Sequence, residues 1–351
     1  PPLYHGVLLV WMKVFGTSVL SAMWLHLVLL AGFVAFTVST LKMLRAPAAA
    51  LNWAGVFCFG ITFHDRPDSL SYLLAALAVW ACVRARCNSA PEWFWAAAGL
   101  LVLALSASLQ IGGIYLVLVA LLAVGGALLT RTGIPWLPGL AGVAAIIGLI
   151  VFVVVCCPRC WVGFQEHVKV TPSVTGWRAP SAVELLKVGR AVAGISLVAL
   201  ALGWLAITGK LWLMLRDSQA MLLTACAVVT TVMLAGGCLV FFFADMVRYT
   251  TYLQPLVVGA FFTACAGDLF STRQRRALSV MFVVAALAVS VRAIGMTTWG
   301  ALCARDVSYT KATAMIRQEL DAAPTGSTVV LSSAYLYDAA PRTNINWIHS
   351  E

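Results

Sequence analysis

Charge is what this sequence has least of. Asp, Glu, Lys and Arg make up 10% of its 351 residues, against about a quarter in a soluble domain. Hydrophobic residues make up 62%. That imbalance excludes an ordinary soluble globule, which would have too little polar surface to face water. A Gly-rich nucleotide loop, a metal-binding His pair and a nucleophile elbow are also missing, which removes the common dinucleotide, zinc-hydrolase and serine-hydrolase readings. No repeat at a fixed period is present, so a solenoid is excluded too.

What is there is a series of apolar runs, each roughly 18 residues or more, the length that crosses a hydrocarbon core of about 30 Å. Ten spans are expected, at about 18–44, 47–63, 69–86, 91–108, 112–130, 135–156, 191–209, 219–243, 250–267 and 277–294. Pro47, Pro91 and Pro135 stand at or just inside helix starts, where a missing N–H costs little. Residues 3–15 are too short to span and read as an interfacial helix carrying Tyr4, His5, Trp11 and Lys13, side chains suited to the headgroup layer. The expected fold class is all-α, a multi-pass transmembrane helical bundle over 18–295. It is preceded by the interfacial helix 1–17 and followed by a tail at 296–351. In that tail an amphipathic helix, a Pro-Thr-Gly turn and a β-branched strand at 328–332 read as the beginning of a small αβ domain. The chain opens at Pro1 without an initiator Met, signal peptide or charged leader, and it reads as a fragment with a segment missing upstream.

The net charge of +10 is that of basic loops on one membrane face, so no nucleic-acid partner is expected. Alternate connections hold Lys42 and Arg45; Arg84 and Arg86; Arg131; Lys210 and Arg216; and Arg273, Arg275 and Arg276. The excess of Lys and Arg assigns these to the cytoplasm. Residues 64–68, 109–111, 157–190, 244–249 and everything after 295 then face outward, on the outer side of a plasma (inner) membrane. The most polar run in the first third of the chain, "HDRPDSL" at 64–70, therefore meets the outer surface.

Thirteen carboxylates are few enough to sort individually. Glu92, Asp217 and Asp268 fall on the cytoplasmic side, and Asp306, Glu319, Asp321, Asp338 and Glu351 in the tail. Asp65, Asp68, Glu166, Glu184 and Asp245 remain at the outer face. Glu184 follows Ser181 at the spacing of a capping box. Two readings of Asp65 and Asp68 stay open. One is an exposed turn with Pro67 and Asp68 at a helix start, favoured by the helix dipole. The other is a carboxylate and guanidinium pair with Arg66, facing a polar cleft and binding a cation, a phosphate or a sugar hydroxyl.

The ordered set of motifs resembles the GT-C glycosyltransferases, in the branch of protein mannosyltransferases and aminoarabinose transferases. "PPLYHGVLLVWMKVFG" is similar to that branch's interfacial helix, and the apolar helix after it ends in basic residues. Arg66-Pro67-Asp68 matches its Arg-Pro-Asp motif, and Arg248, Tyr249 and Pro255 match an Arg-Tyr motif at an outer helix start. The resemblance covers most of the chain in order and topology. The sequence departs from it at Met23, where the branch often has Arg, and at Gln110, where it often has a basic residue nearby. The resemblance also implies that the principal catalytic carboxylate lies in a first outer loop, upstream of Pro1.

The chemistry implied is sugar transfer from a polyprenyl-phosphate-sugar to a lipid, glycan or protein acceptor at the outer membrane surface. A carboxylate must activate the acceptor hydroxyl, for which Asp68 and Asp65 are the candidates in this chain. Cations must hold the departing phosphate, and Arg does so with a planar fork. Arg248, Arg66, Lys169 and Arg178, with Tyr249, are the candidates for donor phosphate binding. No cofactor is required by the residues; a divalent cation at the phosphate is left open. Cys156, Cys157 and Cys160 lack the second pair that a zinc site needs, so they read as thiols at a helix end or a local disulfide. His26, inside a span, reads as a hydrogen-bonded core residue. A transporter or flippase for a lipid-linked glycan is the alternative class, but transporters gather ionisable groups at the bilayer midplane. Here the polar clusters sit at the outer ends of spans. A non-catalytic protein of the same fold is the third reading.

Overall fold

A computed structural model describes residues 2–16, 19–44, 68–130, 132–156, 271–277, 309–332 and 346–350, with a few isolated positions between them. The described helices are α1 (Pro2–Phe15), α2 (Val19–Met43), α3 (Asp68–Cys87), α4 (Trp93–Ala107), α5 (Leu109–Ala120), α6 (Gly126–Thr130), α7 (Trp136–Cys156) and α8 (Tyr309–Ala322). A π-helical turn, Leu121–Gly125, joins α5 to α6. Four stretches are long and apolar enough to cross a membrane: Ser21–Met43, Ser69–Cys87, Ile111–Leu128 and Trp136–Cys156. They fall where the sequence places spans at 18–44, 69–86, 112–130 and 135–156. In hydrocarbon a backbone has no water to bond, so a helix that satisfies its own N–H and C=O groups is the form such a run must take.

The run at 91–108 is a correction. It forms only the 15-residue α4, about 22 Å long at 1.5 Å per residue, which is shorter than a full span. The apolar run continues to Ser108, but Ser108 is extended, with φ −156 and ψ 116, and it reverses the chain in a single residue. The Ser108 N–H donates to the Ala104 carbonyl at 2.9 Å, and its own carbonyl accepts from Gly112 N–H at 2.9 Å. The return path is tight. A Cβ on Gly112 would lie 2.7 Å from both Cα and N of Leu105, so only glycine lets α5 fold back against α4.

Helix α3 is the centre of the described bundle. Its Ala75, Ala78, Ala81 and Cys82 are fully enclosed, and such small side chains let neighbouring helices approach closely where apolar burial from water supplies no drive. One core cluster joins Phe33 and Leu41 of α2, Tyr72 and Val79 of α3, Phe94 and Leu101 of α4, and Ile111, Tyr115 and Leu118 of α5. A second seats Tyr4 and Leu8 of α1 on Leu25 and Leu29 of α2, with Leu70 and Ala107. Helix α7 differs. It approaches α4 where Gly142 faces Ala98, but Val143, Ile147, Val151, Phe152 and Val155 point outward.

Side-chain pairs give the helix directions. His26 meets Ser69 and Ser39 meets Trp80, so α2 and α3 run the same way. The span read at 47–63 lies almost wholly outside the described residues, as do those at 191–209, 219–243 and 250–267 and nearly all of 277–294. Ser71 Oγ donates to the Ala104 carbonyl at 2.9 Å near the start of α3 and the end of α4, while Trp80 meets Trp93 at the other end. Helices α3 and α4 are therefore antiparallel.

In the tail, α8 precedes β1 (Thr328–Ser332), the strand read from the β-branched run, and β2 (Asn346–Ser350). The strands pair in parallel with Thr328 opposite Asn346 and Val330 opposite Ile348. Gly326 turns the chain between α8 and β1 with φ +85, a left-handed conformation natural to glycine. A capping box also stands at 271–274, where Ser271 Oγ accepts from Gln274 N–H at 3.3 Å and Gln274 Oε1 accepts from Ser271 N–H at 3.0 Å. The capping box read at Ser181 and Glu184 lies outside the described residues.

Two neighbouring glycines test the packing. Gly112→Ala should cost about 1–3 kcal/mol through overpacking against Leu105. Gly113→Ala meets nothing within 4 Å and should be neutral or gain up to about 1 kcal/mol from helix propensity. Thermal unfolding of the two variants in detergent checks this, and equal midpoints would contradict the tight α4–α5 turn.

Candidate functional site

The start of α3 sits at the same end of the bundle as the start of α2, and α1 covers both. The link is a chain of three polar side chains in an apolar setting. His26, 4% exposed, bonds through Nε2 to the Tyr4 hydroxyl at 2.9 Å and through Nδ1 to Ser69 Oγ at 2.8 Å. A neutral imidazole has one N–H and one acceptor nitrogen. Either Tyr4 donates to Nε2 while Nδ1–H donates to Ser69, or Ser69 donates to Nδ1 while Nε2–H donates to Tyr4. Both arrangements satisfy both ring nitrogens. His26 is thus the hydrogen-bonded core residue read from the sequence.

Other contacts fix α1 in place. The Trp11 Nε1–H donates to the Ser21 carbonyl at 2.8 Å, and the Trp11 and Phe15 rings lie 4.2 Å apart. The Tyr4 and His26 rings are 5.9 Å apart. The helix named from "PPLYHG" is therefore pinned at both its beginning and its end across the first turns of α2.

Asp68 is the first residue of α3, next in sequence to Ser69. A carboxylate at a helix N-terminus is stabilised by the dipole, by about 0.3–1 kcal/mol. This places Asp68 at the helix start that the exposed-turn reading requires, and it also places it one residue from the Tyr4–His26–Ser69 chain. Asp65, Arg66, Lys169, Arg178, Arg248 and Tyr249 lie outside the described residues. Cys156 is a free, exposed thiol at the end of α7; Cys157 and Cys160 lie outside the described residues. Among the described residues no group of three His, Cys, Asp or Glu is placed to hold a metal.

What sequence reasoning missed is the partnership of Tyr4 and Ser69 with His26. Separations of 22 and 43 residues leave no local pattern to read. The one available signal was the cost of an unpaired imidazole inside a span, which requires that partners exist. No family profile matches the chain, and neither a curated protein nor a solved structure matches it.

Removing the imidazole tests the link. His26→Leu forfeits two hydrogen bonds at about 0.5–1.5 kcal/mol each, so a loss of about 1–3 kcal/mol is expected, with Tyr4→Phe losing about half as much. Thermal or denaturant unfolding of the purified protein measures both. A His26→Leu loss under about 0.5 kcal/mol would refute the chain of bonds.

Proposed function

We propose that the protein is an integral-membrane glycosyltransferase of the GT-C type. In this reading it moves a sugar from a polyprenyl-phosphate-sugar to a lipid, glycan or protein acceptor at the extracytoplasmic face. The observation that supports it best is the meeting of two separate motifs at one end of the bundle. The helix formed by "PPLYHGVLLVWMKVF" packs over α2 and reaches, through His26, the residue that follows Arg66-Pro67-Asp68. An interfacial helix beside an acidic helix start is an arrangement suited to surface chemistry on a lipid-borne donor.

The reaction needs its charges arranged around the lipid phosphate. As the glycosidic C–O bond breaks, negative charge grows on the departing phosphate, and a fixed guanidinium stabilises that state more than the ground state. Arg248, with Tyr249 beside it, is the first candidate for this role, and Arg66, Lys169 and Arg178 are the supporting cations. Asp68 and Asp65 serve the acceptor or orient the cations. The tail after 295, with its helix and two parallel strands, forms an extracytoplasmic αβ element in this reading.

The test uses the full-length protein. Arg248→Ala should lower transfer from a polyprenyl-phosphate-sugar about a hundredfold, equivalent to the roughly 3 kcal/mol lost with one preorganised donor. Arg248→Lys should recover only part, because an ammonium lacks the planar fork. Activity of Arg248→Ala within about threefold of wild type at equal expression would exclude the phosphate role.

A further inference from the structure

The opposite end of the same bundle carries two arginines with different attachments. Arg86 is tied through both terminal nitrogens: Nη1 donates to Thr132 Oγ1 at 2.8 Å, Nη2 donates to the Ala123 carbonyl in the π-helical turn, and the guanidinium lies 5.1 Å from the Phe94 ring centroid. A π turn displaces carbonyls from their regular helical partners, and Arg86 occupies one there. Its role is to fasten α3 to the end of the α5–α6 helix.

Arg84, two residues earlier, is held but not paired. Its guanidinium lies 5.0 Å from the Trp80 ring and 4.6 Å from the Trp93 ring. The two indoles are fixed in turn, edge to face at 5.3 Å and 86°, with Trp80 Nε1–H donating to Ser39 Oγ at 3.0 Å and Trp80 packed at 73° on Phe36. Yet the Arg84 side chain has no hydrogen-bond or ion-pair partner among the described residues; its Nε, like that of Arg86, is buried without an acceptor, and its terminal nitrogens lack the ties that Arg86 makes. Glu92, the residue before Trp93, is exposed and makes no ion pair with it among the described residues. A guanidinium stacked on aromatic rings keeps its N–H donors in its own plane, pointing away from the rings, in the fork that fits two oxygens of one phosphate.

The depth of Arg84 identifies the acceptor. It lies three residues before the end of the apolar stretch Ser69–Cys87, within about 5 Å of that end at 1.5 Å per residue, which is the level of headgroup phosphates. Lys42, exposed in the last turn of α2, is at the same end, where α2 is tied to α3 through Ser39 and Trp80. Lys42, Arg84 and Arg86 together favour an acceptor with net negative charge over a zwitterionic one.

We infer that Arg84, clamped by Trp80 and Trp93 and supported by Lys42, binds the phosphate of an anionic phospholipid headgroup at the basic end of the bundle. This site is separate from the Asp68 end and does not depend on the glycosyl-transfer reading. The lipid holds the ends of α2, α3 and α4 together by accepting from a preorganised cation.

Purified full-length protein in detergent is titrated with phosphatidylglycerol, phosphatidylcholine and inorganic phosphate in separate arms. Bound lipid is read by native mass spectrometry and by the shift in unfolding midpoint. Phosphatidylglycerol should bind about tenfold more tightly than phosphatidylcholine, as expected for one charge-assisted, forked contact. Arg84→Gln should erase most of that preference, and Arg84→Lys should keep part of it. Equal binding of the two lipids by the wild type, or an unchanged preference in Arg84→Gln, would overturn the proposal. Displacement of phosphatidylglycerol by millimolar inorganic phosphate would also overturn it, in favour of a free-anion site. Should Arg84→Gln fail to fold, Trp93→Phe, which keeps the cation and loosens its clamp, is read in its place. An unchanged preference there would count against the proposal in the same way.

Discussion

The structure depends on one constraint: a polar group surrounded by hydrocarbon has no water to bond and must find a partner within the protein. His26 meets it with Tyr4 and Ser69, and Ser71 meets it by donating to the Ala104 carbonyl. Each solution joins helices that the apolar side chains alone would leave free to slide, because lipid tails are as apolar as the side chains they replace. The polar contacts therefore set the register of the bundle, and the small side chains of α3 set how closely its neighbours approach.

The same constraint sorts chemistry to the two ends. At one end, α1, the start of α2 and the start of α3 meet at the Tyr4–His26–Ser69 chain. At the other, Arg84 and Arg86 meet three aromatic residues, the Ala123 carbonyl and Thr132. Between the ends, α3 presents alanines, Cys82 and valines.

Long apolar runs made α2, α3 and α7 legible from sequence, since their length alone decides the reading. The β-branched run 328–332 was legible for the same kind of reason, although its parallel partner Asn346–Ser350 was not, because pairing across an intervening connection leaves no local mark. Helix α4 was read too long, because Ser108 within an apolar run gives no sign that it reverses the chain. Gly112 and Gly113 look alike in sequence, yet only the first faces the backbone of Leu105. The π turn at Leu121–Gly125 and its tie to Arg86 could not be seen, since both arise from contacts between distant segments. Of the candidate site, the sequence marked Asp68 and required a partner for His26, but could not say that one of those partners, Ser69, is the residue next to Asp68 in the chain.

The central claim is that the Asp68 end faces outward and the Arg84 end faces the cytoplasm. Two single-cysteine variants in a Cys-less background test it directly: His5→Cys on an exposed position of α1, and Asn88→Cys in the exposed turn after α3. A membrane-impermeant maleimide added to intact cells should label the first, and should label the second only after permeabilisation. Labelling of Asn88→Cys in intact cells, with His5→Cys protected, would invert the bundle and contradict the account.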